Sequence, residues 1–141
     1  MKRLFFAATL AACLIAFSSF ANDKNLPDAL QSFYKTFRTA KNVNWTDVND
    51  MLRIAFVMDG RQQFAYYSND ELVVVASEIK TEELPETLKT QLSEYKNYVV
   101  TQAYELTKNK SKEYCVIMQS SSRHIVLKGK NKWKTFVDAR L

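Results

Sequence analysis

The chain has 141 residues, and its 20 lysine and arginine side chains outnumber its 15 aspartate and glutamate side chains, which gives a formal net charge of +5. This length allows one domain with a hydrophobic core but is small for two domains. With one histidine, two glycines and two cysteines, the sequence lacks the residues for a histidine-rich zinc site, a glycine-rich phosphate loop or a disulfide-rich scaffold. We therefore expect neither a metal nor a cofactor.

The first residues have the pattern of an export signal. Two basic residues precede an apolar run over residues 4–16, and small residues lead to a cleavage point after Ala21. We expect a signal peptide over residues 1–21 and a mature chain of residues 22–141 that is periplasmic or secreted. The apolar run is shorter than the roughly 18 residues that a membrane span needs, so we expect no transmembrane segment.

A lipoprotein signal is the alternative for this segment. Leu10-Ala11-Ala12-Cys13 resembles a lipobox, in which the cysteine becomes the lipidated first residue. The apolar region before Cys13 would then be very short, and apolar residues after it would be left exposed. We favour simple cleavage, which leaves Cys115 as the sole cysteine of the mature chain and allows no internal disulfide.

A similar short sequence pattern stands at the start of each predicted helix. Leu26-Pro27 and Leu84-Pro85 are each followed by an acidic residue and then by apolar residues every three or four positions. Proline is tolerated in the first turn of a helix, and an acidic side chain there meets the positive end of the helix dipole. The predicted apolar faces are Leu26, Leu30, Phe33, Tyr34 and Phe37 in the first helix and Leu84, Leu88, Leu92 and Tyr95 in the second, with Gln91 where the first has Phe33.

Alternating apolar and polar residues follow each helix and indicate strands. The predicted strands cover residues 43–48, 51–58, 62–67 and 71–77 in the first half and 98–107, 113–119, 123–128 and 133–137 in the second. This order predicts an α+β fold of two tandem helix-plus-antiparallel-strand repeats, residues 26–78 and 84–138, that form one sheet with the helices on one face. The register of the second half stays open.

The turn at Asp59-Gly60 decides which aromatic residues face the helices. A two-residue loop would place Phe56 opposite Gln63, whereas a three-residue loop would place it opposite Phe64. We favour the three-residue loop because it gathers apolar side chains on one face.

With that loop, Arg53, Gln63 and Tyr67 share the face away from the helices. A guanidinium, an amide and an aromatic ring together would form a contact patch for a partner. The alternative is that they are ordinary solvent-facing strand residues, because exposed polar faces are common on antiparallel sheets.

Candidates for catalysis are few. Cys115 and His124 could form a nucleophile and base only if the fold brought them together, and neither lies in a recognisable catalytic motif. The simpler interpretation is that Cys115 is a buried small hydrophobe and His124 a strand residue.

Positive charge is concentrated at the end of the sequence. Residues 108–141 contain nine basic and two acidic side chains. In an exported protein this could attract an acidic protein face or anionic lipid, and nucleic acid is not expected as a partner. Alternatively, the lysines keep hairpin ends soluble and protect edge strands.

The mature chain resembles the PepSY-like, beta-lactamase-inhibitor-like family of exported bacterial proteins. The residues that carry the resemblance are Leu26-Pro27, Val43-Asn44-Trp45, Ile54-Ala55-Phe56, Tyr66-Tyr67 and Glu83-Leu84-Pro85. It covers most of residues 26–138, and it departs at Asp70-Glu71, where relatives tend to have glycine. The resemblance implies a helix-plus-sheet repeat like that of the beta-lactamase inhibitor protein and a binding or inhibitory role. No functional residue transfers, because the matched positions build the fold.

The leading hypothesis is therefore an exported, non-enzymatic module that binds another exported protein, in the form of an inhibitor of an envelope or secreted hydrolase. A structural envelope protein without a discrete ligand is the first alternative. A small hydrolase that uses Cys115 or His124 is the least favoured.

Overall fold

The structure is a computed structural model of the chain, and it describes residues 27–141. The expected signal peptide, the alternative lipid site at Cys13 and the first helix residue proposed from sequence, Leu26, lie outside the described residues. The helices are α1 (Asp28–Thr36) and α2 (Glu86–Leu92), a 3₁₀ turn covers Thr81–Glu83, and the strands are β1 (Lys41–Val48), β2 (Met51–Met58), β3 (Arg61–Ser68), β4 (Glu71–Glu78), β5 (Val99–Lys108), β6 (Ser111–Gln119), β7 (Arg123–Gly129) and β8 (Trp133–Arg140). All eight predicted strands are present, and they pair in chain order as one antiparallel sheet. No helix within residues 27–141 is long and apolar enough to span a membrane.

Both helices lie at the predicted Leu-Pro positions, but each begins directly after the proline, so Leu84 precedes α2 instead of opening it. Pro27 and Pro85 have φ angles of −57° and −54°, and the next residue is acidic in each case. The second helix is shorter than predicted, because α2 ends at Leu92 and Tyr95 lies beyond it. The backbone N–H of Tyr95 bonds to the carbonyl of Leu92, only three residues back, so the chain tightens and leaves the α-helix.

The two helices lie on the same face of the sheet, which we call the helix-covered face. Each helix buries its own apolar cluster, in which Leu30 and Leu88 are 0% exposed. Tyr34 was predicted to face the sheet but is 47% exposed, because it lies at the edge of the buried stripe of α1. The cluster under α1 is Ala29, Leu30, Phe33, Phe37, Leu52, Ile54, Phe56, Ala65 and Tyr67, and that under α2 is Leu84, Leu88, Ala103, Val116, Met118, Ile125, Leu127 and Trp133.

The halves share the order of one helix and four strands, but their helices are attached differently. Gln91 of α2 accepts a hydrogen bond from the backbone N–H of Trp133 at 3.1 Å and donates one to the carbonyl of Asn131 at 2.9 Å. Phe33 stands at the matching place in α1 and is buried against Phe56, with ring centroids 4.9 Å apart. The tandem repeat therefore remains a hypothesis.

Four of the hairpin turns have two-residue loops in which both residues have positive φ. These loops are Asn49-Asp50, Asp59-Gly60, Asn69-Asp70 and Asn109-Lys110. Such turns match the right-handed twist of the flanking strands, and asparagine, aspartate and glycine tolerate this conformation best. The three-residue loop predicted at Asp59-Gly60 is therefore wrong, and Phe56 lies opposite Gln63 rather than Phe64.

Candidate functional site: the helix-free face of the sheet

The second face of the sheet carries neither α1 nor α2, and we call it the helix-free face. On an antiparallel sheet with helices on one side, this face normally presents polar side chains to water. Here it is apolar over six strands, and it contains the buried residues Met51, Tyr66, Val74, Ala76, Tyr104, Leu106, Cys115, Ile117 and Val126, with Val48, Phe64 and Val137 partly buried beside them. Both faces of the sheet are therefore apolar, although described helices cover only one.

Arg53 lies on the helix-free face, where it is paired across the strands with Thr46 and Tyr66. Its side chain is 8% exposed, and its guanidinium carbon lies 5.4 Å from the centroid of the Phe64 ring. This is the distance of a cation–π contact, which lets an arginine lie among apolar neighbours. The Phe64 ring in turn meets Tyr104 edge-on at 6.1 Å, so the contact joins β2 and β3 to β5.

Gln63 and Tyr67 lie on the opposite, helix-covered face, so the predicted patch with Arg53 does not form. Gln63 is 7% exposed; its side-chain oxygen accepts a hydrogen bond from the Ser77 hydroxyl at 3.1 Å. Tyr67 is 1% exposed in the cluster under α1, and burial raises the pKa of its hydroxyl, with a smaller opposing effect from Ser32. The cause of the error is the turn: one residue fewer in the loop moves every β3 side chain to the other face.

Cys115 and His124 share the helix-free face but do not form a catalytic couple. Cys115 lies opposite Lys128 on β7, whereas His124 lies four residues further along that strand, opposite Gln119. At about 3.3 Å per residue, this separates them by roughly 13 Å. Cys115 is also 2% exposed, and burial raises the pKa of its thiol to about 12, which keeps the thiol protonated and unreactive.

The sequence left open which side chains of the second half face the helices, and the cluster under α2 and the cluster on the helix-free face now show this. Val116 and Met118 face the helices, while Cys115 and Ile117 face the helix-free side. All four are buried, which is why the sequence pattern alone did not decide between the alternatives.

Within residues 27–141 no group of three or more histidine, cysteine, aspartate or glutamate side chains is arranged to hold a metal ion.

Because the Tyr104 hydroxyl and the Cys115 thiol are buried on this face, we expect the protein to lose stability at alkaline pH. Burial raises the pKa of Tyr104 to about 12, as it does for Cys115. An unfolded thiol ionises near pH 8.5 and an unfolded tyrosine near pH 10, so above those values the unfolded state loses protons that the folded state keeps. The stabilisation is complete below about pH 8.5 and falls as the pH rises toward 12.

We expect the urea midpoint to fall between about pH 8.5 and 10.5, and to fall less in Cys115→Ala than in the wild type. Tyr104→Phe is the companion variant, and it should flatten the curve only above about pH 10. A fall that is identical in all three proteins would contradict this assignment.

Phe64, Tyr66 and Tyr104 are the residues of this face that sequence reasoning missed. The three-residue loop had placed Phe64 and Tyr66 toward the helices. The signal that identifies Phe64 and Tyr66 is the Asp59-Gly60 dipeptide, whose two-residue turn puts them in register with Ala55 and Arg53.

Comparison with known proteins gives structural neighbours but no sequence family. No family profile and no curated protein matches the chain. A DUF2874 family protein from Bacteroides uniformis has a TM-score of 0.71 and 14% identity, with 82% of this chain and 89% of that chain covered. A protein from Bacteroides eggerthii, provisionally described as periplasmic, has a TM-score of 0.72 and 14% identity, with 84% and 90% covered.

A BLIP-like protein from Bacteroides fragilis, named for the beta-lactamase inhibitor protein, has a TM-score of 0.64 and 18% identity, with 84% of this chain and 89% of that chain covered. Identities this low establish a likeness of fold. They bear out the BLIP-like fold that the resemblance implies, but not a PepSY-like family specifically. The chain therefore has a fold similar to that of the BLIP-like protein.

Proposed function

We propose that this chain is an exported, non-enzymatic protein that binds another exported protein through the helix-free face of its sheet. The observation that carries the proposal is the apolar character of this face, which no described helix covers. The residues of this cluster are themselves only 0–5% exposed, so a partner would meet the face at the partly buried apolar side chains beside them. The fold shared with a BLIP-like protein and with a protein provisionally described as periplasmic is consistent with this role.

The specific role that we infer is inhibition of an envelope or secreted hydrolase. The support is the likeness to the BLIP-like protein, together with the distance between Cys115 and His124, which speaks against a hydrolytic couple in the chain itself. Export depends on the signal peptide over residues 1–21 and cleavage near Ala21, both of which remain predictions.

The accessible part of the proposed contact surface consists of the partly buried residues Val48, Phe64 and Val137. Of the three residues first proposed from sequence, only Arg53 belongs to this surface, beside Phe64. Aromatic and arginine side chains dominate the energetics of protein interfaces, because they combine a large contact area with directional polar groups. Phe64 is therefore the anchor that we propose, and the buried Arg53 supports its ring from beneath through the cation–π contact.

Partner capture from the native envelope tests the proposal. The immobilised chain should retain a saturable partner, and Phe64→Ala should weaken its capture by more than about 1 kcal/mol, which is at least fivefold. Arg53→Lys should also weaken capture, because a lysine keeps the charge but not the planar guanidinium.

Tyr34→Ala is the matched control, since Tyr34 is an exposed aromatic residue on α1, on the other side of the sheet. It should leave capture unchanged, and thermal denaturation should confirm that each variant is folded. Equal capture by Phe64→Ala and Tyr34→Ala would contradict the proposed surface. If no saturable partner is found, the structural envelope protein becomes the better hypothesis.

A further inference from the structure

At one end of the sheet, acidic residues and lysines lie at different turns. Because the strands are antiparallel and paired in chain order, the β1–β2, β3–β4, β5–β6 and β7–β8 turns all lie at the same end. We call this the hairpin end. Its acidic half is Asp47, Asp50, Asp70 and Glu71, and its lysine half is Lys110, Lys130, Lys132 and Lys134.

These eight side chains are exposed, and the ion pairs between described residues do not involve them. Lys134 also lies directly across the strands from Lys128, a like-charge pairing that costs stability. Lys128 is neutralised by Glu113 at 2.8 Å, whereas Lys134 has no such partner among residues 27–141. The positive charge of the lysine half is therefore directed outward rather than compensated within the described chain.

The two halves do not neutralise each other. Their centres are four strand spacings apart along the sheet, which is about 19 Å at about 4.8 Å per spacing. This exceeds the screening length of about 8 Å at physiological ionic strength. The nearest turns of the two halves, β3–β4 and β5–β6, are about 10 Å apart and no ion pair between described residues joins the halves, so each half keeps its own sign of charge.

We propose that the hairpin end is a docking surface for a second copy of this chain. A two-fold arrangement that exchanges the halves places the acidic half of one copy opposite the lysine half of the other, twice. A uniformly anionic surface such as a membrane or a nucleic acid would attract the lysine half but repel the acidic half beside it. A second copy presents the complement of both halves.

At these turns aspartate and lysine can replace each other without a change in backbone conformation. Asn49-Asp50, Asn69-Asp70 and Asn109-Lys110 have nearly the same φ angles, 46° and 63°, 49° and 62°, and 46° and 67°. Lysine and aspartate are thus both accommodated at the second loop position. Asp50→Lys with Asp70→Lys cancels the net negative charge of the acidic half, because Asp47 and Glu71 remain, and Lys110→Asp with Lys130→Glu cancels the net positive charge of the lysine half, because Lys132 and Lys134 remain.

The test is analytical ultracentrifugation of the chain as recovered from cells, with the protein itself as the probe. Exposed ion pairs are individually weak, so we expect a dimer at high protein concentration and about 0.01 M salt, and a monomer at about 1 M salt. Each double variant alone should be monomeric at low salt. An equimolar mixture of the two should dimerise again, because the unchanged lysine half of one variant then meets the unchanged acidic half of the other.

Lys41→Glu with Lys96→Glu is the matched control, because Lys41 begins β1 at the opposite end of the sheet and Lys96 lies just before β5 begins there. This variant should dimerise as the wild type does. The proposal is overturned if the wild type stays monomeric at low salt up to its highest soluble concentration. It is also overturned if both charge-exchanged variants dimerise as the wild type does, or if their mixture does not associate.

Discussion

Replacing Trp133 with alanine should lower the free energy of unfolding by about 3–5 kcal/mol, which is the usual cost of removing a buried tryptophan. The side chain is 7% exposed and packs in the cluster under α2. Its indole N–H donates a hydrogen bond to the carbonyl of Leu88 at 2.9 Å, so the residue ties β8 to the helix. Urea denaturation followed by fluorescence of the remaining tryptophan, Trp45, or by circular dichroism would measure the loss.

Two companion variants separate the packing of Trp133 from its hydrogen bonds. Trp133→Phe keeps a ring in the cluster but removes the indole N–H, and it should cost less than the alanine variant. Gln91→Ala removes the side chain that accepts from the Trp133 backbone N–H and should cost about 0.5–1.5 kcal/mol. A loss below about 0.5 kcal/mol for Trp133→Ala would mean that α2 does not depend on this contact.

Gln91 also shows what the repeated sequence pattern could not predict. The periodicity placed it opposite Phe33 as the one polar exception on an otherwise apolar face. The structure gives the reason, because Gln91 bonds to the turn between β7 and β8 rather than packing on the sheet. A contact between residues 40 positions apart leaves no trace in a helical period, so the sequence predicted the helix but not its attachment.

The strands were predictable because alternation is a local property, whereas their faces depended on a single turn. The apolar preference for pairing Phe56 with Phe64 outweighed the turn chemistry of Asp59-Gly60, and the register moved by one residue. The three Asn-Asp and Asn-Lys turns elsewhere in the chain have the same two-residue geometry. Turn chemistry was therefore the more reliable local signal.

Arg53 explains why the helix-free face was not predicted to be apolar. A charged residue in the middle of β2 indicated a solvent-facing side. The structure buries it instead, with its guanidinium against the Phe64 ring. Because the chemistry that permits this burial comes from the neighbouring strand, it could be predicted only with the correct register.

Leu30→Ala and Leu88→Ala should each lower the free energy of unfolding by about 2–5 kcal/mol, because a buried leucine leaves a cavity that its neighbours fill only partly. Both side chains are 0% exposed, and each lies early in its helix, three residues after the proline. Their clusters share no residue, so the losses in the double variant should add to within about 0.3–0.5 kcal/mol.

Urea denaturation of the two single variants and the double variant measures these losses, and Tyr34→Ala provides the exposed control in α1. The hypothesis of two tandem repeats requires comparable costs at Leu30 and Leu88, since each leucine would hold its helix on its own four strands. Losses below about 0.5 kcal/mol at both sites, as at surface positions, would contradict the repeat and the packing of both helices. A large loss at Leu30 alone would support the packing of α1 on the sheet. It would also indicate that Trp133, rather than Leu88, holds α2 there.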